Sequence, residues 1–96
     1  MVTTEFVLVE VANFFCRAAF RPLFSRLLQN LRAAPGVEVV LASNDLFDSG
    51  ARLFEARADK DWSLTDCTSF QAMWDRGITD ALTADHHFGQ AGFESY

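Results

Sequence analysis

No apolar run in this chain approaches the roughly 20 residues that a membrane span needs, and the opening Met1-Val2-Thr3-Thr4-Glu5 lacks the basic start of a secretory signal. The expectation is a chain that stays clear of the membrane and works in the cytoplasm. There are only two cysteines, Cys16 and Cys67, with no Cys-x-x-Cys spacing and no histidines at ligand distance, so reduced, packed thiols are expected rather than a disulfide or a zinc site. The adjacent His86 and His87 do not change this, because neighbouring side chains diverge. Gly-x-Ser-x-Gly is missing, which leaves Ser63, Thr65 and Ser69 without the setting of a hydrolase nucleophile. So are Gly-x-Gly-x-x-Gly and a Walker lysine, which removes support for a nucleotide cofactor. Internal repeats and low-complexity tracts are absent as well.

Ninety-six residues form one small domain, 1–96, and half of them are apolar, including ten Phe and two Trp. A chain of this size hides roughly 65 per cent of its unfolded surface, so a packed interior is attainable and disorder is not expected. Trp62, Trp74 and the phenylalanines are most economically placed in that core. Thirteen acids against eight bases leave a net charge of −5, which argues weakly against non-specific attraction to nucleic acid. The charge is unevenly spread. Residues 11–34 carry Arg17, Arg21, Arg26 and Arg32 without an acid, whereas residues 38–96 carry eleven acids and four bases. Either a solvated helix face or a contact for phosphate or an acidic partner accounts for this basic island.

The pattern predicts a first helix from Thr4 to about Ala19, apolar almost all round and therefore largely buried, with Thr4 as its N-cap. Pro22 suits the first turn of a second helix, whose Phe24, Leu27, Leu28 and Leu31 make one core-facing stripe. Pro35-Gly36 ends it, and the short run within Val37 to Ala42 reads as a buried strand. Ser43 or Asn44 opens a third helix with the stripe Leu46, Phe47, Gly50, Leu53 and Phe54, where Gly50 permits close backbone approach. Ser63-Leu64-Thr65-Asp66 has the form of a capping box before a fourth helix, and Gly77 stands where a left-handed C-terminal residue belongs. Ala81-Leu82-Thr83 follows as a strand, and Asp85 to Phe93 as a terminal helical turn. Helix, helix, strand, helix, helix, strand implies an α/β fold in which the two strands run parallel.

Three acids stand in apolar company. Glu10 has Phe6 and Phe14 at i−4 and i+4, Asp66 shares its helix side with Phe70 and Met73, and Asp85 follows a strand at the sheet edge where α/β proteins bind ligands. Keeping unpaired carboxylates ionised in a core costs on the order of several kcal/mol each, so something must compensate them. No arginine lies at a helical i±4 position to any of the three, and a hard cation such as Mg²⁺ or Mn²⁺ prefers carboxylate oxygens. Each acid also has a structural explanation: Asp66 as the acidic member of the capping box, Asp85 as an N-cap, Glu10 as a rim residue. Sequence separations of 56 and 19 residues do not show whether the three meet.

The stretches Asp59-Lys60-Asp61-Trp62-Ser63-Leu64-Thr65-Asp66-Cys67-Thr68-Ser69-Phe70, Gly77-Ile78, Ala81-Leu82-Thr83-Ala84-Asp85-His86-His87-Phe88 and Gln90-Ala91-Gly92-Phe93 resemble a bacterial PIN-domain protein of the VapC type. The opening Val2 to Val11 is similar to that family's helix with a metal-site glutamate, so the likeness spans essentially Val2 to Phe93. It implies a three-layer α/β/α PIN-like fold with a small parallel sheet. It also implies a toxin of a toxin–antitoxin pair that hydrolyses RNA phosphodiester bonds with Mg²⁺ or Mn²⁺. Glu10, Asp66 and Asp85 match the catalytic and metal-binding positions, with Ser63, Thr65 and Thr83 beside them as hydrogen-bonding neighbours and Asp61 as an outer member. RNA and a cognate antitoxin are the implied partners, with Arg17 and Arg21 as contacts. Proteins of this kind usually begin with a strand that holds another aspartate, which here would precede Met1. Either the reading frame starts upstream of Met1, or this is an N-terminally truncated domain of impaired activity; without that strand, open strand edges favour a homo-oligomer. The rival from another class is a non-catalytic PIN-like module that binds RNA or a protein partner.

Overall fold

The computed structural model describes residues 1–77, 80–81 and 94–95. Its elements run β1 Val2–Thr4, α1 Glu5–Phe14, α2 Arg21–Ala33, β2 Glu38–Val40, α3 Asn44–Ala56, α4 Leu64–Asp75, β3 Asp80–Ala81 and β4 Glu94–Ser95. All pairing is parallel: β1 with β2 in the register Val2 to Glu38, Thr3 to Val39 and Thr4 to Val40, and β3 with β4. Among the described residues the result is a mixed α/β fold with four helices and two small parallel sheets, in which the two expected strands, β2 and β3, pair with β1 and β4 and not with each other. It matches the PIN-like architecture expected.

Two strands, β1 and β4, were not expected, and β1 takes residues assigned above to the helix entry. Val2, Thr3 and Thr4 are β-branched, which favours the extended state until Thr4 caps the helix. Thr4 keeps extended dihedrals while its hydroxyl accepts the Val7 amide at 3.2 Å, so one residue closes β1 and opens α1. Helix α1 stops at Phe14, five residues early, where the Phe15 amide folds back onto the Ala12 carbonyl. It is not largely buried either: Leu8 alone is buried, and Phe14 is 85% exposed. The short α1 meets β1, α2 and α4, which cover it only in part.

Helix α2 begins as expected, with Pro22 in its first turn, where the missing amide proton would have had no helical partner. Phe24, Leu27, Leu28 and Leu31 do share one side, but all are only half-buried and none joins the core cluster, so the stripe is not core-facing as expected. Gly36 and Gly77 adopt positive φ of 78° and 64°, ending α2's turn and α4 as left-handed residues. In α3, Ser43 is the N-cap, accepting the Leu46 amide at 3.1 Å, and Leu46 and Gly50 are buried while Phe47 and Phe54 stay exposed.

The core gathers on α4. Cys67, Phe70, Ala72 and Met73 pack with Val2, Leu46 and Trp62, and Trp62 meets Phe70 edge-on at 4.9 Å. Trp62 and Phe70 thus occupy the interior, whereas Trp74, Phe20, Phe47 and Phe54 lie largely outside it, and Phe88 and Phe93 fall outside the described residues. Of the two thiols, Cys67 is packed and Cys16 is exposed, so the expectation of two packed cysteines holds for one. The strand at Ala81 appears as β3, and Leu82, Thr83 and the turn at 85–93 fall outside the described residues. No helix among the described residues is long and apolar enough to cross a membrane.

Gly50 sets how closely α3 approaches α4. A Cβ on it would meet Thr68 Cγ2 at 2.6 Å and the Thr68 Cα and N at 3.1 Å. Thr68 is itself held by its hydroxyl, which donates to the Thr65 carbonyl at 2.7 Å. An ordinary helix-interior Gly→Ala change stabilises by roughly 0.5–1 kcal/mol. Here the sign reverses: Gly50→Ala is expected to destabilise by about 1–3 kcal/mol in urea melts. Adding Thr68→Ser, which removes the offending methyl and keeps the hydroxyl, is expected to restore part of that loss.

Candidate functional site

The first turn of α4 is fixed by a complete capping box. Ser63 Oγ accepts the Asp66 amide at 3.0 Å, and Asp66 Oδ2 accepts the Ser63 amide at 3.0 Å. The structural explanation for Asp66 is therefore realised, and its negative charge also complements the positive end of the helix dipole. Next to it, Thr65 Oγ1 donates to Glu10 Oε1 at 3.0 Å, tying the middle of α1 to the start of α4 across 55 residues of sequence. The two helices thereby bring Glu10 to the end of α4 that carries Asp66.

The electrostatics differ from the expectation. Glu10 is exposed and Asp66 half-buried, so neither carboxylate is stranded in the core. Burial therefore demands no compensating cation at Glu10, which is exposed and whose Oε1 already accepts a hydroxyl donor. Behind Asp66, the Cys67 thiol is pushed up by its burial and, second, by the adjacent Asp66 charge. Asp85 and Thr83, with His86 and His87, lie outside the described residues. Asp61 is exposed two residues before the cap.

Among the described residues no group of three His, Cys, Asp or Glu side chains is placed to hold a metal. Glu10 and Asp66 nevertheless offer only oxygen donors, with the Ser63 and Thr65 hydroxyls beside them, which is the chemistry that hard cations take. Arg17 and Arg21 sit past the C-terminal end of α1, both exposed, and Arg21 Nε donates to the Cys16 carbonyl at 2.7 Å. Two contacts outside the expected set hold the frame: Glu5 Oε1 accepts the Ala42 amide at 2.6 Å, and Arg76 pairs with Glu38 at 2.8 Å. Glu5 was legible only as a first-turn acid, since nothing in the sequence says that β2 ends beside it.

Ser63→Ala is expected to cost about 1 kcal/mol of stability in urea unfolding. Asp66→Asn keeps an acceptor oxygen for the Ser63 amide, so its loss should stay under about 1 kcal/mol, the size of the helix-dipole contribution. A thiol reagent near pH 8 is expected to modify Cys16 in the folded protein and Cys67 only after unfolding, because burial keeps Cys67 covered and protonated.

No family model matches the chain, and no curated protein does. Among solved structures, the crystal structure of VapC20 from Mycobacterium tuberculosis, described as a sarcin–ricin loop cleaving toxin, superposes with a TM-score of 0.78. The match has 26% sequence identity and covers 97% of this chain and 71% of that one. With parallel strands, a capped α4 and a glutamate helix laid against it, the chain has the fold of PIN-domain proteins of the VapC type.

Proposed function

We propose that this protein is an endoribonuclease, the toxin of a toxin–antitoxin pair, and that it hydrolyses RNA phosphodiester bonds in the cytoplasm with Mg²⁺ or Mn²⁺. Glu10, Asp66 and Asp85 are the carboxylates assigned to the ion. The observation that supports this most is the Thr65–Glu10 hydrogen bond, which carries a glutamate from α1 to the helix end that presents Asp66, within a fold shared with a sarcin–ricin loop cleaving toxin.

The chain's own contribution is placement. Thr65 fixes one oxygen of Glu10, and the Ser63 amide fixes one oxygen of Asp66, so both carboxylates are oriented before any ligand arrives. Such an ion, when bound, supplies Lewis-acid stabilisation of charge on the phosphoryl oxygens and makes water a better nucleophile. The exposed Arg17, Arg21, Arg26 and Arg32 offer cations to an RNA backbone in a chain that is otherwise acidic. Exposed apolar residues on α1 and α2, Val9, Phe14 and Leu23, favour a protein partner, either an antitoxin or a second copy.

The non-catalytic alternative draws support from one observation: both described acids already have structural partners, Thr65 for Glu10 and the capping box for Asp66. Cleavage of a sarcin–ricin loop hairpin in the presence of Mn²⁺ separates the two readings. The nuclease reading expects cleavage by the wild-type chain, its loss in chelator, and a fall of about 100-fold in both Glu10→Gln and Asp66→Asn, with melting curves near wild type. Equal cleavage by the wild type and both variants overturns it. Hairpin binding without cation-dependent cleavage points to the binding module.

A further inference from the structure

We propose that Ser69 is a positioning residue for the carboxylate site, its hydroxyl donating to an oxygen in the shell of a divalent cation held by Glu10 and Asp66. The proposal rests on the cation reading of that site. Ser69 is 5% exposed, and its Oγ has no hydrogen-bond partner among the described residues. A buried hydroxyl without a partner carries a desolvation cost, so it calls for an explanation.

A helical serine usually relieves that cost by donating to the carbonyl four residues back. Here that acceptor is taken. The Thr65 carbonyl receives the helical Ser69 amide and also the Thr68 hydroxyl at 2.7 Å, which together use both of its lone pairs.

The location of the orphan is informative. Ser69 follows Thr65 by four residues and Asp66 by three, so on an ideal helix it sits one turn below them and between them in angle, about 40° from Thr65. Side chains lean toward the helix N-terminus, which directs Ser69 toward the turn that carries Asp66 and the Glu10 anchor. A donor held there, dry and uncommitted, is suited to an oxygen that takes its place only when the ion binds. Hydrogen bonds from outside the ligand set to metal-site oxygens typically change metal affinity 10–100-fold.

The test uses the full chain and Mn²⁺ alone, with calorimetric titration for affinity and thermal melts of the metal-free protein, comparing wild type, Ser69→Ala and Asp66→Asn. Expected are Mn²⁺ binding by wild type, loss of binding in Asp66→Asn, an approximately tenfold weaker affinity in Ser69→Ala, and a metal-free Tm for Ser69→Ala equal to or above wild type. The last follows because a methyl removes an unsatisfied group. Wild-type affinity in Ser69→Ala overturns the role of Ser69 while leaving the carboxylate site standing. A lower metal-free Tm in Ser69→Ala also overturns it, because the hydroxyl would then be bonded within the fold. Absence of Mn²⁺ binding by wild type overturns both readings together.

Discussion

Burial of α4 on nearly every side is the constraint from which the rest of the architecture follows. Cys67, Thr68, Ser69, Phe70, Ala72 and Met73 are all buried, so the helix has no single core-facing stripe. It is the helix at the centre, and several of its side chains are small. Small side chains let neighbours come close: Gly50 of α3 packs on Thr68, Val2 of β1 joins the core, and α1 lies against the N-terminal turn. Large residues are confined to the places where a ring fits, as with Phe70 beneath Trp62.

A helix enclosed in this way leaves its polar groups with few choices. Thr68 solves the problem by donating to Thr65, and Thr65 by donating to Glu10; Ser69 is left over. The N-terminal turn of α4 consequently combines a dipole that favours negative charge, a carboxylate fixed by the cap, and a second carboxylate delivered from α1. Neither acid owes its position to burial. Both are held by hydrogen bonds from neutral donors, which orient an anion without cancelling its charge.

Local chemistry was strong enough to be read directly in several elements. The capping box at Ser63 and Asp66, the N-caps Thr4 and Ser43, Pro22 in the first turn of α2 and the left-handed Gly36 and Gly77 all depend on residues within four positions of one another, and all are present in the fold. The stripe of α2 and the close approach at Gly50 were legible for the same reason, since helical periodicity is a short-range property. Resemblance to a known family supplied the architecture that periodicity alone left open.

Sequence by itself therefore determined where helices begin and which glycines turn the chain. Tertiary structure decided the exposure of α1 and of Glu10, the pairing of β1 with β2, and the contact between Thr65 and Glu10 across 55 residues. Apolar composition made α1 look like the enclosed helix, yet α4, with its threonine, serine and cysteine, took that place. The physical reason is that enclosure depends on how closely neighbouring backbones can approach from all sides, which is a property of the packed assembly and not of one segment's hydropathy.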